Sequence, residues 1–288
     1  MSEKILKRFE ILKQAYEEEG NMTLRRCFYI LVGKNEIKNS RSAYQNLSLK
    51  LVEAREKGLV GWNMMVDRHR QILKRNTSIS FDDAFENLCD FYRKDSMQDQ
   101  DFYVEVWIEK DAVASVIYNF TSKLDIPLFV GKGFPSITHL KKASDRFKEQ
   151  DKPCKILYIS DFDPEGEFFP KKVLEKLNQY GCENIIVEKI ALTREQIFKY
   201  GLLNNKEFKI KDKHKKKKYV RDFIEENKNF FPNEKGEVQI ELDALSNKIL
   251  LTILKKKLES LNFNFDIPEQ SDKDSLEDVE NWRLKNLI

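Results

Sequence analysis

The chain has 288 residues, 41% of them hydrophobic and 34% charged, with a formal net charge of +3. This length allows two modest cores, so two domains are expected, and no apolar run approaches the ~20 residues of a membrane span, which argues against a membrane partner. Bases and acids nearly cancel, so any case for nucleic-acid binding must rest on where the bases lie.

In chain order, EKILKRFEILKQAYEEEG, TLRRCFYILVG and NSRSAYQNLSLKLVEAREKG read as short helices closed by Gly20, Gly33 and Gly58. LVGWNMMVDRHR follows as a short extended or hairpin segment. Three helices and a small strand pair outline a winged helix-turn-helix over residues 1–72. Residues 73–98 form a connector, polar at first and then helical around FDDAFENLCDFYRKD. From residue 99 to 265 the pattern changes. FYVEVWIEK, IPLFVG, KILYIS and NIIVEKIAL read as strands, and DAVASVIYNFTSKL, FPSITHLKKASDRFKEQ and GEFFPKKVLEKLNQYG between them as helices. That alternation predicts an α/β fold with a mostly parallel sheet covered on both faces. A lysine-rich run, KIKDKHKKKKYVR, leads to an amphipathic helix with Leu245, Ile249, Leu250 and Ile253 on its apolar face. Residues 266–288 are acidic and weakly patterned, an expected flexible tail. The charged start MSEKILKRFE lacks a signal-peptide core, so the cytoplasm is the expected location. Cys27, Cys89, Cys154 and Cys182 are scattered singly and read as free thiols, and His69, His139 and His214 have no metal-ligand spacing.

The stretch KILYISDFDPEGE, residues 155–167, ends a strand in four carboxylates, Asp161, Asp163, Glu165 and Glu167. Asp, Pro and Gly suit a solvated turn. Asp161 and Asp163, two apart in an extended backbone, also project to one side. Ligands of open parallel sheets bind beyond the carboxyl ends of the strands, and the first strand ends in another carboxylate, Glu109. If the two strands are neighbours, three carboxylates converge. Like charges ~4 Å apart repel by about 4 kcal/mol at an effective dielectric of 20, so hard oxygen ligands placed this way suit Mg²⁺.

These residues carry a resemblance. A strand ending in Glu109-Lys110 and a later strand ending in Asp161-x-Asp163 resemble the Toprim domain of topoisomerases, primases and related nucleases. VEVWIEKDAVASVI, PLFVGKGFPS, YISDFDPEGE, IALTREQIFKYGL and VQIELDAL, in that order, resemble segments of the A subunit of type IIB topoisomerases, its meiotic double-strand-break relatives and small standalone A-subunit-like proteins. The similarity covers most of residues 23–250. It implies a winged-helix domain followed by a Rossmann-like Toprim domain, with Glu109, Asp161 and Asp163 as ligands for Mg²⁺, or Mn²⁺ in its place. Lys110 and Lys132 either reach phosphates or are solvated.

By the same resemblance Tyr29 stands at the position of a nucleophilic tyrosine, with Phe28 where the family has a preceding tyrosine. On a helical wheel Leu24, Cys27, Phe28 and Leu31 share the apolar face, while Tyr29 lies on its flank with Arg25 at i−4 and Arg26 at i−3. Guanidinium groups favour a phenolate and neutralise a phosphate, so the catalytic set is Tyr29, Arg25 and Arg26. The plainer alternative is a tyrosine packed at the rim of a small core with its hydroxyl wet.

Candidate DNA contacts are Arg41, Gln45 and Lys50 on the third helix, whose Tyr44, Leu47 and Leu51 turn inward, and Arg68 and Arg70 at the wing. The resemblance implies a homodimer that cuts double-stranded DNA through a 5′-phosphotyrosyl link, is associated with the nucleoid, and needs a separate GHKL-type ATPase for strand passage. Two alternatives stay open: a metal-dependent nuclease that uses water, and a non-cleaving dimeric DNA-binding or bridging protein of a mobile element or defence system.

Overall fold

The computed structural model describes residues 3–20, 22–65, 78–131, 133–205 and 210–286. Arg68, Arg70 and Lys132 lie outside them. Among the described residues are eleven α-helices and one sheet of four parallel strands, a mixed α/β fold as the strand and helix alternation predicts.

The first three helices are α1 (Glu3–Glu19), α2 (Leu24–Gly33) and α3 (Arg41–Glu56). Thr23 and Ser40 start α2 and α3 by accepting from the backbone N–H groups of Arg26 and Ala43, which would otherwise be unsatisfied. The three helices close on a core that includes Phe9, Leu12, Cys27, Phe28, Leu31, Leu47 and Leu51. The short extended or hairpin segment expected after α3 is described only as far as Met65. Among the described residues its chain forms a 3-10 turn at Trp62–Met64, and Met65 makes a single parallel bridge to Met22. Residues 66–72 fall outside the described chain.

The connector helix is α4 (Phe81–Phe91). The sheet then builds from β1 (Tyr103–Ile108), β2 (Leu128–Val130), β3 (Cys154–Ile159) and β4 (Ile185–Ala191), in the order β2-β1-β3-β4. Crossover helices α5 (Ala114–Thr121), α6 (Ile137–Lys148) and α7 (Pro164–Gln179) join them, and α8 (Arg194–Lys199) and α9 (Lys218–Asn227) follow. All six residues of β1 are buried, as expected of a central parallel strand covered on both faces. Glu105 is the polar exception. Its carboxylate accepts from Tyr103 Oη at 2.9 Å, Trp107 Nε1 at 2.7 Å, and Arg146 Nε and Nη2 at 2.6 and 3.0 Å, so the buried charge is paired and saturated.

The last two helices are α10 (Asn247–Ser260), which buries Leu250, Leu254 and Leu258, and α11 (Ile267–Asn286). The acidic tail is therefore a helix, where a flexible segment was expected. Its acids find bases far away in sequence: Asp272 pairs with Arg93 at 2.6 Å and Asp274 with Lys94 at 3.1 Å, while Ser275 Oγ accepts from Lys94 N at 2.6 Å. No helix among the described residues is long and apolar enough to cross a membrane.

Candidate functional site

β1 and β3 are neighbours in register, with Ile108 opposite Ile159. Glu109 N donates to Ile159 O at 3.0 Å, so Glu109 leaves the sheet beside Ser160 and Asp161. The condition on which the carboxylates converge is thus met by the strand pairing. Asp163 caps α7, its Oδ1 accepting from Gly166 N at 2.6 Å, with Pro164 in the first turn. Gly166 is required there. A Cβ at this position would sit 2.2 Å from Asp161 O, so only glycine lets the first turn of α7 close on the aspartate backbone. Lys189 Nζ, from β4, donates to Asp161 O and Glu167 Oε1, both at 2.7 Å.

A further acidic pair arrives from the 3-10 turn Leu242–Ala244. Phe162 and Ile240 form an antiparallel bridge, and Leu242 N donates to Asp161 Oδ1 at 2.8 Å. This places Glu241 and Asp243 next to the aspartates. Lys110 Nζ is ion-paired with Asp161 Oδ2 and lies 3.4 Å from Glu241 Oε2. Neither acid was singled out from sequence. The signal was the acid-x-acid spacing of ELD within VQIELDAL, which repeats that of DFD.

Burial and the crowding of like charges act on how these groups ionise. Burial, then Asp161 and Asp163, push the Glu109 carboxyl up to about 7, and burial with Asp161 pushes Asp163 up to about 6. Burial also raises the Asp243 carboxyl. For Lys110 burial works against the ammonium, but Asp161 and Glu241 overcome it and leave its pKa raised. Glu109 Oε2 is buried and accepts no hydrogen bond among the described residues. Glu109, Asp161 and Asp163 are a hard-oxygen set whose repulsion a divalent cation would relieve, which suits Mg²⁺. Among the described residues no three such side chains already stand in joint ligating geometry. Lys110 holds Asp161, and Asp163 is engaged as a cap.

The tyrosine helix α2 packs against this turn. Arg25 is ion-paired with Glu241, and its Nε lies 4.0 Å from Asp243 Oδ2. Arg26 does something else. It is buried, donates to Glu19 at 2.9 and 2.6 Å, and donates to Asp243 O at 3.0 Å, tying α1, α2 and the turn together. Tyr29 is 3% exposed and meets Phe28 edge-on at 5.4 Å, in contrast to the expected flank position. It lines a pocket of about 300 Å³ with Arg25, Phe28, Asn39, Ser40, Arg41 and Tyr44. Arg41 thus joins Tyr29 and Arg25, Gln45 is exposed on the next turn, and Lys50 pairs with Glu53 at 2.8 Å. The lysine run also finds a place: Lys215 pairs with Glu237 at 2.7 Å, and Lys217 lies 3.8 Å from Glu165 in the first turn of α7.

No family model matches this chain, and no curated protein matches it. Fold and site define a mixed α/β protein with a parallel sheet whose carboxyl edge gathers acids against an arginine-bearing helix.

Proposed function

We propose that the chain is a DNA transesterase similar to the A subunit of type IIB topoisomerases, with residues 1–72 as a winged-helix unit and residues 99–265 as a Toprim domain. One observation carries the reading: Glu109 emerges beside Asp161 and Asp163 at the carboxyl edge of adjacent parallel strands, with a buried carboxylate oxygen that accepts no hydrogen bond among the described residues. Glu109, Asp161 and Asp163 would hold Mg²⁺ or Mn²⁺, with Lys110 moving off Asp161. The cation, when bound, offsets the charge that develops on the attacked phosphate. The rest falls to side chains. Arg25 and Arg41 in the Tyr29 pocket bind and orient a backbone phosphate, and Arg26 positions the helix. Tyr29 Oη gives its proton to water and bonds to phosphorus while the 3′-oxygen leaves and takes a proton from water, so no net proton is gained or lost. One phosphodiester replaces another, so religation is the reverse step and needs no ATP. Double-stranded DNA is the substrate, a homodimer cuts both strands, and a separate GHKL-type ATPase drives strand passage.

The burial of Tyr29 favours one second reading, a metal-dependent nuclease in which water attacks. Supercoiled plasmid incubated with the protein and Mg²⁺ or Mn²⁺, then quenched with detergent, separates the two. Protein-linked 5′ ends lost in both Tyr29→Phe and Asp161→Ala support the transesterase. Free 5′-phosphate ends that survive Tyr29→Phe support the nuclease. Binding without breaks rejects both in favour of a DNA-bridging protein.

A further inference from the structure

Helix α4 has a strongly apolar side yet buries no residue fully. It carries two apolar stripes. The stripe of Phe85, Cys89 and Tyr92 meets α11 at two points, where Phe85 packs on Trp282 at 4.7 Å between centroids and Tyr92 Oη donates to Asp278 at 3.2 Å. The other stripe is exposed among the described residues: Phe81 is 83% exposed, Leu88 64% and Phe91 82%, with Ala84 exposed between them. Its positions, 81, 84, 88 and 91, follow the 3-4-3 spacing of a coiled-coil seam.

We propose that this seam docks on α4 of a second copy of the chain, the two helices antiparallel about a two-fold axis. The pattern is complementary to itself in that direction. Phe81 meets the partner's Phe91 and Ala84 meets the partner's Leu88, so a small residue faces a large one and the aromatics close both ends. Charge agrees. The four acids of α4, Asp82, Asp83, Glu86 and Asp90, all fall outside the seam and its flanking positions, and the flanks hold Ser80, Phe85, Asn87 and Tyr92. Two copies therefore meet without apposed acids. Glu86 is paired with Arg283 of α11 at 2.8 Å; Asp82, Asp83 and Asp90, also away from the seam, repel nucleic acid and anionic lipid, and the uncharged flank gives a basic partner no acid beside the seam. Trp282, 46% exposed beside Phe85, widens the contact toward α11. A C2 interface of this kind uses the same patch on both subunits.

The test is the mass of the full chain in solution across a concentration series, by sedimentation or light scattering, for the wild type and Leu88→Asp. The expected result is a wild-type dimer whose association constant falls at least about a hundredfold in Leu88→Asp, because each dimer loses two buried leucines. Exposure of Leu88 in the single chain predicts unchanged circular dichroism. In a Cys89→Ser background, Ala84→Cys with Leu88→Cys should form a disulfide-linked dimer on mild oxidation, whereas Ala84→Cys alone should not. A wild-type monomer throughout, a dimer indifferent to Leu88→Asp, or efficient cross-linking by Ala84→Cys alone overturns the proposal. The interface rests on the homodimer of the proposed function: a wild-type monomer counts against both, whereas a dimer indifferent to Leu88→Asp, or cross-linked by Ala84→Cys alone, overturns only the α4 seam and leaves the proposed reaction standing.

Discussion

Arg25, on the helix that carries Tyr29, is ion-paired with Glu241, and Glu241 shares the ammonium of Lys110 with Asp161. The tyrosine helix and the acidic edge are therefore linked through one chain of alternating charges. Arg25 is 44% exposed on its side chain, so its replacement by alanine should cost only about 0–1 kcal/mol of stability. Arg26→Ala should cost about 3–5 kcal/mol, because it removes a buried guanidinium and strands the half-buried Glu19 carboxylate and the Asp243 carbonyl. Urea unfolding of the two variants side by side measures the contrast, and equal losses would refute the division of labour between the two arginines.

Gly166→Ala is expected to destabilise the chain by about 1–3 kcal/mol, since backbone must move to relieve the contact with Asp161 O. Thermal melting checks the stability. Mg²⁺ titration by calorimetry checks the site, where affinity should fall because the shift begins at Asp161 itself.

Stability in chelator should depend on pH with a definite sign. The folded-state values of Glu109 and Asp163, about 7 and about 6, lie above their ordinary values of 4.5 and 3.8. Both carboxyls favour the folded chain while protonated, and that contribution is lost as pH rises through 6 and 7. The melting temperature of the wild type should therefore fall relative to Glu109→Gln between pH 5 and pH 8, and Mg²⁺ should reverse the difference. A gap between the two that does not change with pH would contradict this account.

Arg41 lines the Tyr29 pocket, and Gln45 lies one turn further along the exposed side of α3. Arg41→Ala should weaken DNA binding and reduce the slope of log K against log salt by about 0.9, the effect of one lost phosphate contact. Gln45→Ala should leave that slope unchanged. Fluorescence anisotropy over a salt series reads both.

Much of the sheet is legible in the sequence for a physical reason. β1 and β3 are buried on both faces, so apart from Glu105 and Lys155 they appear as apolar runs, and their ends are marked by Glu109 and Asp161. The caps Thr23, Ser40 and Asp163 likewise announce their helices. Tyr29 was misplaced because a helical wheel assumes one buried face. α2 buries seven consecutive residues, Arg26 to Val32, since the turns at Leu202–Asn205 and Leu242–Ala244 cover the side that α1 and α3 leave open. Glu241 and Asp243 were missed because a 3-10 turn has no periodicity to reveal it. The helix α11 was missed because its acids are neutralised by Arg93 and Lys94, a pairing too distant for any sequence window.

The bridge between Phe162 and Ile240 has a temporal consequence. During synthesis Asp161 and Arg26 emerge well before residues 240–244, which supply Leu242 N to one and the Asp243 carbonyl to the other. A nascent chain can form its three N-terminal helices and all four strands while the acidic edge stays open. Translation of the final fifth of the chain then closes the two halves onto each other, so a product stopped short of residue 240 would carry Tyr29, Glu109, Asp161 and Asp163 without the turn that joins them.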